Sequence, residues 1–330
     1  MQPIHIVGTG GIGCAVGHAL RSAGAPVLFV DADPEKIAWG RRHGVGVDRR
    51  PALPAEFQPF GAWEPPAGAT VLLCTKCYDN AAVLARLPSS VTLLPIQNGF
   101  DPLLEAHGSG PEGIASFVSE CAPQRTHTRI TRGGRLHLGF RGNSAPDRKQ
   151  QEALEQVISL LRGTSLFRVT AVPDILPYKY AKLMYNAAIS PLAACAGLDN
   201  GQLLAVPGAR RLFFALLQEN YAILHGAGIP LGKIGPFHPA TVARILRRPL
   251  VARSLAWAFY PTLRKTYCSM SGDLPRGQTE IDYYNGRLIA LAQEYPCTLN
   301  RRVYDLVKRM ERERLPPRLQ VLDDLLAQPS

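Results

Sequence analysis

The sequence predicts an α/β fold in which an N-terminal, doubly wound parallel sheet is followed by a C-terminal all-helical domain. Three observations predict it. Short apolar runs typical of strands alternate with helical segments through the first 170 residues. Beyond Pro173 the strand signals fade and long helical segments dominate. The 330 residues are also enough for two domains, each with its own core. We therefore predict one domain over residues 1–170 and another over residues 171–330.

The predicted elements follow from apolar periodicity and from the glycines and prolines that interrupt it. We predict strands at residues 4–8, 26–31, 70–75 and 91–97, and helices at residues 11–23 and 80–87 and around Leu154, Val157, Ile158 and Leu161. The proline-rich residues 51–66 are expected to form a surface loop, and the alternation over 125–140 predicts an antiparallel hairpin at the sheet's edge. In the second domain we predict helices at roughly residues 176–190, 209–226, 240–258, 278–294 and 301–314.

Composition and charge narrow the class of protein. An apolar content of 46% with 19% charged residues is ordinary for a soluble globular chain, and no apolar run reaches the roughly 18 residues of a membrane span. The N-terminus lacks the basic start of a signal peptide, so we expect a cytoplasmic protein. The net charge of +11 is spread along the chain, which argues against a nucleic-acid partner. A positive field would instead attract a dinucleotide and an anionic substrate.

The cysteines and histidines predict no disulfide framework and no metal site. There are seven cysteines, an odd number scattered along the chain. Cys74 and Cys77 have the spacing of a redox or metal pair. We favour two small residues at the end of a buried strand, because no second ligand pair exists and a redox pair usually opens a helix.

A glycine-rich turn directly follows the first predicted strand. Its six residues, Gly8, Thr9, Gly10, Gly11, Ile12 and Gly13, fit the pattern G-x-G-x-x-G. The first glycine permits a tight turn, the second lets the backbone approach a pyrophosphate, and the third allows the helix to sit close on the strand. Helix N–H groups then face the anion. The turn therefore predicts a Rossmann-type, dinucleotide-binding first domain.

Asp31 ends the second predicted strand, 18 residues beyond Gly13, close to the spacing expected for an acid that binds the adenosine ribose. A carboxylate there favours NAD over NADP, because it repels a 2′-phosphate. Lys36, Arg41 and Arg42 lie downstream and could offset this preference. An alternative is that Asp31 only caps the following turn.

In the second domain, Lys182, Asn186 and Ser190 are spaced i, i+4 and i+8, so they form one polar stripe on a helix otherwise suited to burial. A lysine beside two hydrogen-bonding side chains is unusual in a core. The alternative is a surface lysine whose stem lies along the apolar helix.

Together with the glycine turn, several short segments resemble the ketopantoate reductase family, in this order and at this spacing. They are IQNG at 96–99, the helix at 182–191, DNGQL at 199–203, SM at 269–270 and TEIDYYNG at 279–286. The resemblance covers nearly the whole chain. It implies reduction of a 2-keto acid, with ketopantoate as the first candidate, by NADPH or NADH. It also leaves room for a homodimer, which is common in the family.

The resemblance further implies roles for individual residues. Lys182 matches the general acid, and Glu280 matches a carboxylate that positions lysine and substrate. The implied substrate-binding residues are Asn98, Asn186, Ser190, Asn200 and Ser269, with Ser190 standing where the family usually has an asparagine. Lys76 and Asn98 match residues beside the cofactor. These residue types suit the chemistry, because hydride transfer to a keto carbon leaves negative charge on oxygen that an ammonium stabilises and then protonates.

Two alternatives stay open. An opine-type or other 2-hydroxyacid dehydrogenase would normally use a His–Asp pair, and the second domain offers only His225 and His238. A non-catalytic dinucleotide-binding protein would retain the turn without turnover.

Overall fold

A computed structural model describes residues 2–108, 110–142 and 147–327. The chain divides into two compact units between Ile175 and Leu176. The strands are β1 (Ile4–Val7), β2 (Val27–Asp31), β3 (Gly46–Val47), β4 (Glu56–Pro59), β5 (Thr70–Leu73), β6 (Thr92–Pro95), β7 (Pro111–Ala115), β8 (Val118–Cys121), β9 (His127–Arg132), β10 (Arg135–Phe140) and β11 (Arg168–Asp174). The strand β11 spans residue 170, where the boundary was predicted, and belongs to the first unit.

The helices are α1 (Gly11–Ser22), α2 (Pro34–His43), α3 (Asn80–Leu84), α4 (Pro102–Ala106), α5 (Arg148–Arg162), α6 (Leu176–Ala196), α7 (Gln202–Ala205), α8 (Pro207–Gly226), α9 (Pro239–Leu246), α10 (Pro249–Leu263), α11 (Ser269–Asp273), α12 (Asn285–Ala292), α13 (Thr298–Glu313) and α14 (Asp323–Leu326). In the described part of the second unit, these helices and short 3₁₀ turns are joined by loops without a β-strand. No helix among the described residues is both long enough and apolar enough to cross a bilayer.

The first unit is built on a five-stranded parallel sheet in the order β4-β2-β1-β5-β6. Successive side chains of a strand point to opposite faces, so each face has its own core. Ile6, Leu72 and Leu94 pack in a cluster on one face. Val7 and Leu73 pack in a cluster on the other. The near-continuous apolar strands are typical of a parallel sheet covered on both sides, and the predicted α/β fold is confirmed.

The expected hairpin over residues 125–140 is wrong. β9 pairs with β8 and β3, whereas β10 pairs with β7 and β11, so the two strands belong to different three-stranded sheets. Between them, Gly134 packs so closely on Phe117 that a Cβ would lie 2.4–2.8 Å from its backbone. The glycines at 133–134 therefore let the chain pass from one sheet to another rather than turn back on itself.

Two other expectations are corrected. The proline-rich segment 51–66 contains β4, which pairs with β2 as the edge strand of the parallel sheet. A proline is tolerated there because an edge strand has unpaired N–H positions. The helix expected over 240–258 is two helices, α9 and α10, because the backbone of a residue before a proline, here Pro249, disfavours the helical region.

Candidate active site

In the first unit, the predicted cofactor residues all follow the carboxyl ends of parallel strands. The glycine turn follows β1, Asp31 ends β2, Lys76 comes after β5 and Asn98 after β6. These ends share one edge of the sheet, where α/β proteins bind their ligands. The loops after β1 and β5 are in close contact, since a Cβ on Gly8 would lie 2.7 Å from the backbone nitrogen of Thr75.

Three glycines of the turn meet different requirements. Gly8 has a φ of +98°, a backbone conformation that a side chain disfavours. A Cβ on Gly13 would overlap the carbonyl oxygen of Gly8, so α1 can start against the turn only without one. A Cβ on Gly10 would meet nothing within 4 Å. The backbone at Gly10 therefore faces open space, as the approach of a pyrophosphate requires.

The N-terminus of α1 fits an anion as well. The first N–H groups of an α-helix have no partner within the helix. In α1 no side chain caps them, and the first turn carries no acidic residue. Free N–H groups and the positive end of the helix dipole make this terminus suited to a phosphate. The turn and the helix together fit a dinucleotide.

Asp31 is anchored to the glycine turn. Its Oδ2 accepts hydrogen bonds from the Thr9 backbone N–H at 2.7 Å and from the Thr9 hydroxyl at 2.5 Å. Its Oδ1 accepts from the backbone N–H of Asp33 at 2.9 Å, and the Lys36 ammonium lies 3.9 Å from Oδ2. Asp31 thus does cap the following turn. A carboxylate has about four acceptor positions, so one remains for a ribose hydroxyl.

A buried network that the sequence interpretation missed joins the loops after β5 and β6. The Asn80 side-chain amide donates to Gln97 Oε1 at 3.1 Å and to Asp101 Oδ2 at 2.7 Å. In return, the Gln97 amide donates to Asn80 Oδ1 at 2.7 Å and to the Thr75 carbonyl oxygen at 2.8 Å. Asn80, Gln97 and Asp101 are all at most 3% exposed. Buried polar groups bonded this fully hold their backbone in one arrangement.

The network sets the positions of two predicted site residues. Lys76 directly follows Thr75, and Asn98 directly follows Gln97. Each is therefore attached to a residue whose position the network fixes. Asp101 also caps α4 by accepting from the Leu103 N–H at 2.9 Å. The sequence signal for this cap is the Asp-Pro pair that starts α4.

In the second unit, α6 carries the polar stripe at the predicted spacing. Lys182 and Asn186 are half-buried, and Ser190 is 6% exposed. The Cys268 thiol donates to the Ser190 carbonyl oxygen at 3.4 Å. This contact brings the start of α11, and with it the exposed Ser269, next to the stripe.

A proline inside α6 explains a second network that the sequence interpretation missed. Pro191 has no N–H, so the Ala187 carbonyl oxygen lacks its helical partner. The Asn285 side chain donates to that oxygen at 3.0 Å and to Asn300 Oδ1 at 2.9 Å. Asn300 in turn donates to Asn220 Oδ1 at 2.8 Å. All three asparagines are fully buried. These three asparagines, which we call the asparagine clamp, hold in place the part of α6 that carries the stripe.

The other two predicted residues of the second unit are buried. Glu280 is 4% exposed, and its Oε2 accepts a hydrogen bond from the Tyr284 hydroxyl at 3.2 Å. Asn200 donates to the Thr266 hydroxyl at 3.2 Å, while its own Oδ1 is buried without a hydrogen-bond partner. Asn200 therefore links its loop to Thr266 through its side-chain amide and keeps its Oδ1 as an unused acceptor.

The cysteines and histidines of the described chain form no cluster that could hold a metal ion. No three or more His, Cys, Asp or Glu side chains are arranged there to hold a metal ion. Cys74 and Cys77 are free thiols, and burial raises the pKa of Cys74 to about 12. His238 uses both ring nitrogens on backbone groups, those of Leu231 and Ala240.

Two models of one protein family match this sequence. The model described as ketopantoate reductase PanE/ApbA matches residues 4–142, and that described as its C-terminal domain matches residues 174–311. The chain belongs to the ketopantoate reductase PanE/ApbA family. Members of this family are nicotinamide-dinucleotide-dependent oxidoreductases, so the chain is an enzyme of that class.

Relatives within the ketopantoate reductase family match most of this chain. The 2-dehydropantoate 2-reductase of Archaeoglobus fulgidus is 24% identical over 318 residues, covering 94% of this chain and 98% of the relative. That of Pyrobaculum aerophilum is 26% identical over 244 residues, covering 73% of this chain and 76% of the relative.

Solved structures share the fold. A PanE/ApbA family ketopantoate reductase from Ralstonia eutropha superposes with a TM-score of 0.74 at 23% identity, covering 95% of this chain and 99% of that one. D-mandelate dehydrogenase in complex with NADH and anilino(oxo)acetate superposes with a TM-score of 0.74 at 19% identity, covering 95% of this chain and 99% of that one. A ketopantoate reductase from Staphylococcus aureus, described as dimeric, superposes with a TM-score of 0.70 at 16% identity, covering 95% of this chain and 100% of that one.

Proposed function

We propose that this enzyme reduces 2-dehydropantoate (ketopantoate) to pantoate in pantothenate biosynthesis, with NADH as the hydride source. The observation that carries the proposal is the stripe of Lys182, Asn186 and Ser190 on α6, with the half-buried lysine beside two hydrogen-bonding side chains. The names of the two relatives support the substrate. The first domain, predicted as residues 1–170, would bind the dinucleotide, and residues 171–330 the substrate.

Lys182 serves as the proton donor in this proposal. A bound nicotinamide supplies the hydride to the keto carbon. Lys182 Nζ stabilises the negative charge that develops on the keto oxygen and then gives it a proton. The buried carboxylate of Glu280 favours the charged form of the lysine and fixes its orientation. Tyr284, which donates to Glu280, limits the orientations of that carboxylate.

Side-chain amides and hydroxyls would bind the rest of the substrate. The carboxylate of a 2-keto acid needs hydrogen-bond donors, which amide and hydroxyl groups provide. We assign this role to Asn98, Asn186, Ser190 and Ser269. Asn200 differs, because its buried Oδ1 is an acceptor without a partner. Pantoate carries hydroxyl groups, and such an acceptor suits a hydroxyl donor.

For the cofactor, we propose NADH over NADPH. The Asp31 carboxylate is held by Thr9 and Asp33 with one acceptor position to spare, which suits the ribose 2′-hydroxyl. A 2′-phosphate would bring two negative groups together. The Lys36 ammonium lies 3.9 Å from Asp31 Oδ2 and donates to the Thr9 carbonyl oxygen at 3.2 Å, so part of its charge and one of its three donors serve these two residues. Lys76 would approach the cofactor from the loop after β5.

The test is a matrix of NADH and NADPH, each against ketopantoate, an arylglyoxylate and pyruvate with an amine. We expect the highest kcat/KM for ketopantoate with NADH, with NADPH at least about tenfold lower. The arylglyoxylate arm tests a mandelate-type dehydrogenase, and the amine arm tests an opine-type enzyme. Higher turnover in either would refute the substrate, and cofactor binding without turnover in any arm would refute all three substrate assignments.

The same proposal includes a homodimer formed through α10. Leu250 and Trp257, seven residues apart on one face of this helix, are each 81% exposed. Large exposed apolar side chains at helical spacing are typical of a protein–protein interface. Arg253 lies between them, so like charges would meet across a two-fold axis. We therefore expect added salt to strengthen the dimer by screening these charges.

Replacing Trp257 with Glu tests this interface. We expect the variant to be monomeric in sedimentation equilibrium where the unmodified chain is dimeric, since a buried charge replaces an aromatic anchor. Tyr267→Glu is the control, because it changes an exposed aromatic residue outside α10 and should leave the dimer intact. A monomeric unmodified chain, or a dimeric W257E, would contradict the proposal.

A further inference from the structure

Two cysteines that lie 107 residues apart in the sequence are close together next to the glycine turn. Cys14 lies on α1 and Cys121 ends β8. Their Sγ atoms lie 3.3 Å and 3.4 Å from the same carbonyl oxygen, that of Thr9. The two thiols also influence each other's pKa, and both are free. They are therefore close enough to react with one another after a small movement.

The two thiols have different environments. Cys14 is fully buried, whereas Cys121 is half-buried. The neighbouring Cys14 thiol lowers the pKa of Cys121, and the nearby Lys36 ammonium acts in the same direction. The Cys121 thiol and burial raise the pKa of Cys14 well above its ordinary value. Since the thiolate is the reactive form, Cys121 is the group that meets an oxidant first.

We propose that Cys14 and Cys121 form a modification site, at which a hydroperoxide oxidises the pair to a disulfide that weakens dinucleotide binding. The binding part rests on the proposed function of the glycine turn. The Cys121 thiolate attacks a peroxide oxygen, the O–O bond breaks, and the leaving oxygen departs as water or alcohol. The Cys14 sulfur then attacks the sulfenic sulfur of Cys121, the S–S bond forms, and the second oxygen leaves as water with the Cys14 proton. The two thiols lose two electrons, and the peroxide gains them.

The effect on the cofactor follows from Thr9, the second residue of the turn. Its carbonyl oxygen accepts from Cys14, from Cys121 and from the Lys36 ammonium at 3.2 Å. A disulfide has no S–H, so two of these three donors disappear. The two sulfurs must also approach to about 2.05 Å, which draws α1 toward β8. Little room exists for that movement, because a Cβ on Gly11 would already lie 2.7 Å from the Ser119 carbonyl oxygen. The turn itself must therefore shift.

The pair with a redox-like spacing in the sequence is a poorer candidate. Cys74 has its pKa raised to about 12 by burial, so it is protonated at neutral pH. Cys77 is 1% exposed. A peroxide needs an accessible thiolate, and the Cys14–Cys121 pair combines a lowered pKa with partial exposure and a second sulfur nearby.

The test treats the full chain with hydrogen peroxide and maps the peptides by mass spectrometry without reduction. We expect a Cys14–Cys121 link, a rise of about tenfold in the Kd for NADH measured by fluorescence, and reversal of both by dithiothreitol. Cys14→Ser and Cys121→Ser should each prevent the link and keep the Kd constant under peroxide. Cys195→Ser, which removes a buried thiol of the other unit, should respond like the unmodified chain.

The outcomes separate the inference from the proposed function. If the reduced chain binds NADH but peroxide produces no Cys14–Cys121 link, the inference is wrong and the function stands. A link with unchanged NADH affinity also refutes it. If the reduced chain binds neither NADH nor NADPH, the proposed function fails, and the effect on the cofactor fails with it. Peptide mapping of the unmodified chain decides the link even if a serine variant does not fold.

Discussion

Replacing Lys182 with Ala should lower kcat for keto-acid reduction by about 10²- to 10⁴-fold, the usual contribution of a positioned proton donor. The ammonium acts mainly as charge develops on the keto oxygen, so KM should change far less than kcat. Folding should be unaffected, because Lys182 is only half-buried and alanine is a good helix former. Steady-state kinetics with NADH and ketopantoate, together with thermal melting, measure both effects.

Two further variants separate proton donation from charge. Lys182→Arg retains a positive charge but cannot release a proton at neutral pH, so its kcat should stay close to that of the alanine variant. Lys233→Ala removes an exposed lysine of the same unit and should leave the kinetics unchanged. Recovery of most activity in the arginine variant would show that Lys182 contributes charge alone, and retention of kcat in the alanine variant would exclude the lysine mechanism.

Adding a methyl group at Gly13 should lower the stability of the protein, whereas adding one at Gly10 should lower its affinity for NADH. In Gly13→Ala the new Cβ would overlap the Gly8 carbonyl oxygen, so α1 must move off the strand. We expect a loss of about 3 kcal/mol in the free energy of unfolding, at the upper end for overpacking a core. Chemical denaturation measures it.

Gly10→Ala is the matched variant. Its φ of −76° suits alanine, and the added Cβ would meet nothing within 4 Å. The free energy of unfolding should therefore change by no more than about 1 kcal/mol. The Kd for NADH should rise by about tenfold or more, because the methyl group stands where the pyrophosphate approaches. Equal NADH affinity in Gly10→Ala and the unmodified chain would contradict a dinucleotide at this turn.

The parts of the fold that could be predicted are those encoded by local patterns. The apolar runs that became β1, β2, β5 and β6 are strands buried on both faces, and such strands are identified by composition alone. The alternation in β9 and β10 was also real, but alternation does not identify the pairing partner of a strand. The turn that joins them therefore looked like a hairpin when it is a crossing between sheets.

The same limit applies to the candidate site. The spacing of Lys182, Asn186 and Ser190 predicted their common face, because helix periodicity alone determines it. The asparagines that hold this helix could not be predicted, because Asn285 is 98 residues from the carbonyl oxygen it satisfies. Pro191 was the available signal, since a proline inside a helix leaves a carbonyl oxygen that another group must bond.

The asparagine clamp on α6 also affects the order in which the enzyme is completed during synthesis. Its members come from α8, α12 and α13, so the last of them, Asn300, leaves the ribosome long after the helix that carries Lys182. A nascent chain that ends before Asn300 contains every predicted catalytic and substrate-binding residue but not the full set of bonds that hold α6. Catalytic competence is therefore expected only once α13 has emerged and docked, which makes the docking of this helix a late step in the maturation of the site.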